Sequence, residues 1–99
     1  MAVDFVLAPE AEQDVREAYD WYESCRNGLG EEFLGCVDVA IERICRTPDF
    51  CAKVHAEFRR ALVRRFPYAI FYEYTAGQVT VYCVFHTSRD PDRWRSRLT

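Results

Sequence analysis

Near the C-terminus the stretch VFHTSRDPDRW, residues 84–94, sets a histidine and an arginine at the end of an apolar run. His86 and Arg89 from this stretch, with Arg60 and Arg64 from FRRALVRRF, are of the types that phosphoryl chemistry uses. Attack of a ribose 2′-hydroxyl on a phosphodiester needs a base at the nucleophile, cations against the developing phosphorane charge and a proton donor for the leaving oxygen. One histidine and three arginines can fill those roles if all four point into one groove. The same stretch has a plainer reading. Asp90 suits an N-cap and Pro91 a first helical position, so the strand would simply stop, start a short C-terminal helical turn and pack Trp94 over the sheet edge. In that reading His86 is satisfied by a nearby carbonyl or carboxylate and Arg89 is solvated. His55-Ala56-Glu57 has the H-x-E form of zinc deaminases, but the P-C-x-x-C that completes such a site is missing, so no metal is expected. Neither a Gly-rich phosphate loop nor a Ser-His-Asp arrangement is present, and no cofactor is expected.

The elements that must position these residues follow from periodicity. Val3 to Leu7 reads as a short strand, and Pro9 suits the first turn of a helix. Ala11, Val15, Ala18, Tyr19 and Tyr22 recur at helical spacing, while Glu10, Glu12, Asp14, Glu17 and Glu23 fall mostly toward the outside. Tyr19, Trp21 and Tyr22 at helical spacing read as hairpin core, with a partner contact the alternative for Trp21. After Asn27-Gly28-Leu29-Gly30 a second helix runs from about Glu31 to Arg46, with Phe33, Leu34, Val37, Ala40, Ile41 and Ile44 inward and Thr47-Pro48 as its stop. From Phe58 the period changes to two: FRRALVRRF, PYAIFYEYT and QVTVYCVFH form an antiparallel meander broken at Pro67 and Ala76-Gly77. The order β-α-α-β-β-β describes a two-layer α+β domain spanning residues 1–99, a helical hairpin on a mainly antiparallel sheet. The pattern does not say where the first strand joins.

Strand alternation puts Thr80, Tyr82, Val84 and His86 on one face and Val79, Val81, Cys83 and Phe85 on the other. The second set is more apolar and is assigned to the helices, which leaves His86 at the rim of an open face. Arg60 and Arg64 flank Leu62 on one face of the preceding strand, Arg59 and Arg65 flank Ala61 and Val63 on the other, and alternation does not decide which is open. Phe71 and Glu73 suit the open face, which is apolar enough to expect a partner.

Composition bounds the function. Hydrophobic residues make up 49% of the chain, the mark of a packed globule. The five cysteines are an odd set without C-x-x-C spacing, which predicts reduced, mostly buried thiols. Residues 1–50 hold twelve acids and four bases, net −8; residues 51–99 hold four acids and nine bases, net +5, together the −3 of the chain. A basic half suits nucleic acid or an acidic partner, but the acidic half and a pI near 5.3 argue against strong nonspecific nucleic-acid binding. With no leader-like start and no membrane-length apolar run, a complete cytoplasmic protein is expected.

The helix hairpin followed by RRALVRRFPYAIFYEY and VTVYCVFHTSRDPDRW resembles the RelE/ParE toxin superfamily of type II toxin–antitoxin systems, in particular the plasmid stabilisation proteins. The most specific parts are Arg65-Phe66-Pro67-Tyr68 entering Ile70-Phe71-Tyr72, and Val84-Phe85-His86 leading into Arg89-Asp90-Pro91. The resemblance implies a small bacterial toxin neutralised by a cognate antitoxin. It allows two activities: ParE-like poisoning of DNA gyrase, or RelE-like cleavage of mRNA at the ribosome by a metal-independent endoribonuclease. Similar ribonucleases carry arginine where this chain has Ala69, and one subgroup has tyrosine after the strand-end histidine where this chain has Thr87. Arg60, His86 and Arg89 do match. The missing groups and the charge balance favour the gyrase reading and a non-enzymatic toxin; an inactive toxin fold retained for antitoxin binding and regulation is the third reading. The residues expected to meet a partner are Arg60, Arg64, Phe71, Tyr82, His86, Arg89 and Trp94, and a nuclease would use His86, Arg60, Arg64 and Arg89.

Overall fold

In the computed structural model residues 3–88 and 93–98 are described, without the side chains of residues 93–95. The chain opens with strand β1 (Asp4–Leu7) and turns directly into helix α1 (Pro9–Cys25), with Pro9 at the first helical position as its fixed φ and missing N–H favour. Helix α2 (Leu29–Arg46) follows after three residues. Gly28, the N-cap of α2, has φ 89°, a left-handed conformation natural to glycine. Glu23 supplies the cap that Gly28 lacks: its two carboxylate oxygens accept from the N–H groups of Gly28 (3.0 Å) and Gly30 (2.9 Å). Glu23, expected on the outside of α1, is thus a bridge between the two helices.

Four strands complete the chain: β2 (Lys53–His55), β3 (Phe58–Leu62), β4 (Tyr68–Thr75) and β5 (Gln78–His86), followed by the short helix α3 (Arg93–Leu98). The sheet order is β1-β5-β4-β3-β2. β1 runs parallel to β5, from Asp4 opposite Gln78 to Leu7 opposite Val81, and every other pairing is antiparallel. The α+β layering is as expected, with one strand more. β2 was unforeseen because its three residues are too few for a period to register, and β3 stops at Leu62 instead of running on to Phe66. Arg64 therefore sits in the turn to β4, outside the strand alternation. The β4–β5 hairpin closes on Ala76 and Gly77, both at positive φ (53° and 76°), the two-residue geometry that matches strand twist.

The core lies between the helix hairpin and one face of the sheet. Phe33, Val37, Ala40 and Ile44 of α2 and Ala11 and Ala18 of α1 meet Tyr68, Ile70 and Tyr72 of β4 and Val79, Val81 and Val84 of β5. Tyr22, Phe33, Phe66 and Tyr68 form an aromatic cluster with centroids 4.9–6.1 Å apart. Tyr72 is wholly buried, and its hydroxyl donates to the carbonyl of Pro48 (2.9 Å), tying the sheet to the segment after α2. Arg59 fastens the same segment by donating to the carbonyls of Asp49 (3.1 Å) and Cys51 (2.6 Å).

Candidate functional site

The face of the sheet away from the hairpin carries three of the seven expected partner residues, Arg60, Phe71 and Tyr82, and a bulge redistributes the end of β5. Phe71 pairs with Cys83 while Tyr72 pairs with Val81, so Tyr82 is one residue too many on β5. Beyond it the alternation reverses. Val84 joins the helix-side core, whereas Cys83 and Phe85, assigned from the sequence to the helices, lie on the outer face.

His86 moves with that reversal. It sits opposite Tyr68 and meets its ring edge to face, centroids 5.3 Å apart, on the hairpin side of the sheet. Its Nδ1 lies 3.2 Å from both the N–H and the hydroxyl of Ser88. The expectation of His86 at the rim of the open face is therefore overturned. Arg60 alternates with Ala61, which packs against the helix-side core, and sits opposite Phe71, so it belongs to the outer face. The candidate base and one candidate cation thus occupy opposite sides of the sheet. Arg64 is exposed in the β3–β4 turn, and that turn is held to the end of β5 by the Thr87 N–H donating to the Pro67 carbonyl (2.8 Å). Arg64 and His86 share one end of the sheet, without Arg60. Arg89 and the side chain of Trp94 lie outside the described residues.

Phe71 is on the outer face as expected but is only 2% exposed, so it is not an accessible contact in this conformation. With Ala69 and Cys83 it forms a second small core covered by Val54, Phe85 and Leu98 of α3. The outer face is therefore partly closed by the chain itself. Burial pushes the Cys83 thiol up to about 12. Cys83 alone of the cysteines is fully buried; Cys36, Cys45 and Cys51 are half-buried and Cys25 is exposed, more open than expected. Tyr82 lies beside this core, its ring edge to face with Phe58 (5.2 Å) and its hydroxyl 3.3 Å from the Glu73 carboxylate.

The more open apolar ground is at the other end of the sheet. Between the C-terminal half of α2 and β3 a groove of about 420 Å³ is lined by Ala40, Ile44 and Ala61, by Arg43 and Arg60, and by Phe50 and Leu62. Phe50 is 84% exposed and Leu62 58%. β2 pairs with β3 only at Arg59 and Phe58, so the outer edge of β3 near Leu62 has no strand beside it among the described residues. Sequence reasoning missed this groove because Phe50 falls in a segment with no readable period.

Asp14 is the other residue the sequence did not flag. It was placed on the outside of α1, yet its side chain is 9% exposed, and its Oδ2 accepts from the Val84 N–H (3.0 Å) and from Arg97 (2.7 Å). Desolvation outweighs both contacts and holds its carboxyl above the usual range. Helical spacing assigns a face but cannot foresee that a charged group will be matched by a strand N–H and a distant arginine. Among the described residues no three His, Cys, Asp or Glu side chains gather where they could hold a metal ion. No helix among them is long and apolar enough to cross a membrane.

Residues 5–91 match the family described as ParE toxin of type II toxin-antitoxin system, parDE. The chain belongs to the ParE toxin family. None of the curated proteins compared with it matches. Solved structures with the same fold include the chromosomal ParDE system from P. aeruginosa (TM-score 0.76, 10% identity, 86% of this chain and 96% of that one). A mutant of the E. coli toxin RelE in the free state aligns over 100% of both chains (TM-score 0.71, 15% identity). The toxin–antitoxin complex RelBE2 from Mycobacterium tuberculosis aligns over 87% of this chain and 99% of that one (TM-score 0.62, 16% identity). At these identities the likeness establishes the fold, and the ParE assignment rests on the sequence match.

Proposed function

We propose that this ParE-type toxin arrests growth by binding DNA gyrase, and that a cognate antitoxin neutralises it. The observation that carries the reading is the ParE family match across residues 5–91. Two features support it over mRNA cleavage. His86 and Arg60 lie on opposite sides of the sheet, so they do not form one general-base and phosphate-binding cluster. Ala69, where similar ribonucleases carry arginine, is a buried apolar residue under α3.

Neutralisation calls for a segment that covers apolar ground and meets positive charge. The groove with Phe50 and Leu62 exposed and Arg43 and Arg60 on its walls suits an apolar segment flanked by acids. Replacing Arg60 and Arg64 together by Glu is expected to weaken antitoxin binding by roughly tenfold or more. Unchanged affinity would remove the basic turn and strand from the interface.

The decisive cellular experiment induces the chain without its antitoxin and scores gyrase-dependent DNA breaks and mRNA cuts separately. Breaks with intact mRNA are the expected result. New mRNA cuts on translating ribosomes, abolished by His86→Ala, would replace the gyrase reading with the nuclease one. Absence of any growth arrest would leave a toxin fold without a poison.

A further inference from the structure

Helix α3 has six residues, too few to be stable unsupported, yet it holds a fixed place against β5. Its described contacts converge on one spot. Arg97 donates to Asp14 Oδ2 at 2.7 Å, and its guanidinium carbon stands 4.8 Å from the centroid of the Phe85 ring. Leu98, next in sequence, packs on the outer core of Ala69, Phe71 and Cys83. Asp14 faces both ways. β1 ends at Leu7, opposite Val81, and three residues farther along β5 the Asp14 carboxylate takes the Val84 N–H that a longer β1 would have occupied. One carboxylate on α1 therefore completes the edge of β5 and anchors the C-terminal helix. Glu17, one turn on along α1, is the other acid that acts on it, and Arg97 is the cation.

We propose that the Asp14–Arg97 pair is a latch that makes α3 a detachable strap over the outer face of the sheet. When the latch is closed, Cys83, Phe71 and Ala69 are covered; when it opens, an apolar patch and a thiol become accessible while the hairpin and sheet stay folded. Asp14 is a positioning residue in this device. Among the described residues Leu98 is the strap's apolar contact in the outer core, and breaking the Asp14–Arg97 ion pair removes the charged contact that holds it there. The inference concerns access to the outer face and does not depend on which partner the toxin meets.

Cys83 reports the strap directly. The full-length chain is labelled with N-ethylmaleimide and each cysteine is followed by mass spectrometry, with exposed Cys25 as the internal standard. Arg97→Gln is expected to speed Cys83 labelling about tenfold or more, the loss of one charged hydrogen bond converted into an opening equilibrium. The sign is diagnostic, because the Arg97 charge favours the Cys83 thiolate and its removal alone would slow the reaction. Asp14→Asn, which keeps an oxygen for the Val84 N–H, should also speed labelling, but loss of the Asp14 charge itself favours the Cys83 thiolate, so Arg97→Gln carries the sign test. The faster labelling should change little in dilute urea, as local opening exposes little surface. An unchanged or slower Cys83 rate in Arg97→Gln would overturn the proposal. So would a rise shared by Cys45 and steeply dependent on urea, which would mean global unfolding. Should Asp14→Asn fail to fold, Arg97→Gln and Leu98→Ala decide the matter alone.

Discussion

Two glycines of α2 make a paired test of how closely the hairpin is packed. A Cβ added at Gly30 would stand 2.9 Å from the Tyr19 ring and 2.9 Å from Glu23 Oε1, closer than such contacts normally come. Neither neighbour is free to yield. The Tyr19 hydroxyl donates to Glu31 at 2.7 Å, a bond that pushes the phenol up to about 12, and Glu23 Oε1 is the oxygen that accepts the Gly30 N–H. Gly35, in the same helix, has nothing within 4 Å of the corresponding point. Replacing glycine by alanine in a helix interior gains about 1 kcal/mol in propensity and less in the first turn, where Gly30 lies. Overpacking costs about 1–3 kcal/mol, so at Gly30 the clash outweighs the gain. Gly30→Ala should therefore lose about 1–2 kcal/mol and lower Tm by roughly 5–15 °C, while Gly35→Ala gains about 0.5–1 kcal/mol and raises it by a few degrees. Thermal melts followed by far-UV circular dichroism, with urea titrations for the free energies, measure both. A Gly30→Ala protein as stable as wild type would refute the close contact between Tyr19, Glu23 and the start of α2.

Tyr72→Phe leaves the ring in the core but strands the Pro48 carbonyl, and should cost about 1–2 kcal/mol in urea unfolding. Loss of that tether should also speed amide exchange at residues 49–51, which follow Pro48; unchanged exchange there would contradict the anchoring role. Glu32 accepts from Arg65 (2.7 Å) and Arg26 (3.0 Å), and these bonds hold its carboxyl below the ordinary value of 4.5. Its contribution is present above the unfolded carboxylate range and is lost as pH falls through the lowered native value. Glu32→Gln should therefore flatten the acid side of the stability profile below about pH 4.5 and leave the neutral side unchanged in slope.

The hairpin was legible because its apolar residues keep a 3.6 period along Phe33-Val37-Ala40-Ile44, and the meander because its apolar and aromatic runs are bounded by the turn signals at Pro67 and Ala76-Gly77. What escaped was whatever breaks a period or depends on a distant partner. The bulge at Tyr82 exchanges the faces of Cys83, Val84, Phe85 and His86, and nothing in QVTVYCVFH announces an extra residue. That one residue took His86 away from Arg60. Asp14 and Glu23 were placed by helical spacing on the solvent side, where acids belong by default, but Asp14 answers Val84 and Arg97, and Glu23 answers Gly28 and Gly30. The site of β1 depends on sheet order, which local pattern does not encode, and the Phe50 groove arises where a loop and an open strand edge meet.

The central claim is tested most directly with purified components. The chain is added to DNA gyrase and supercoiled DNA, and gyrase-linked double-strand cleavage is measured with and without the cognate antitoxin. The account predicts cleavage complexes that rise with toxin concentration, are unaffected by His86→Ala and disappear when the antitoxin is supplied. No effect on gyrase, together with His86-dependent cutting of mRNA on the ribosome in the same preparation, would contradict it.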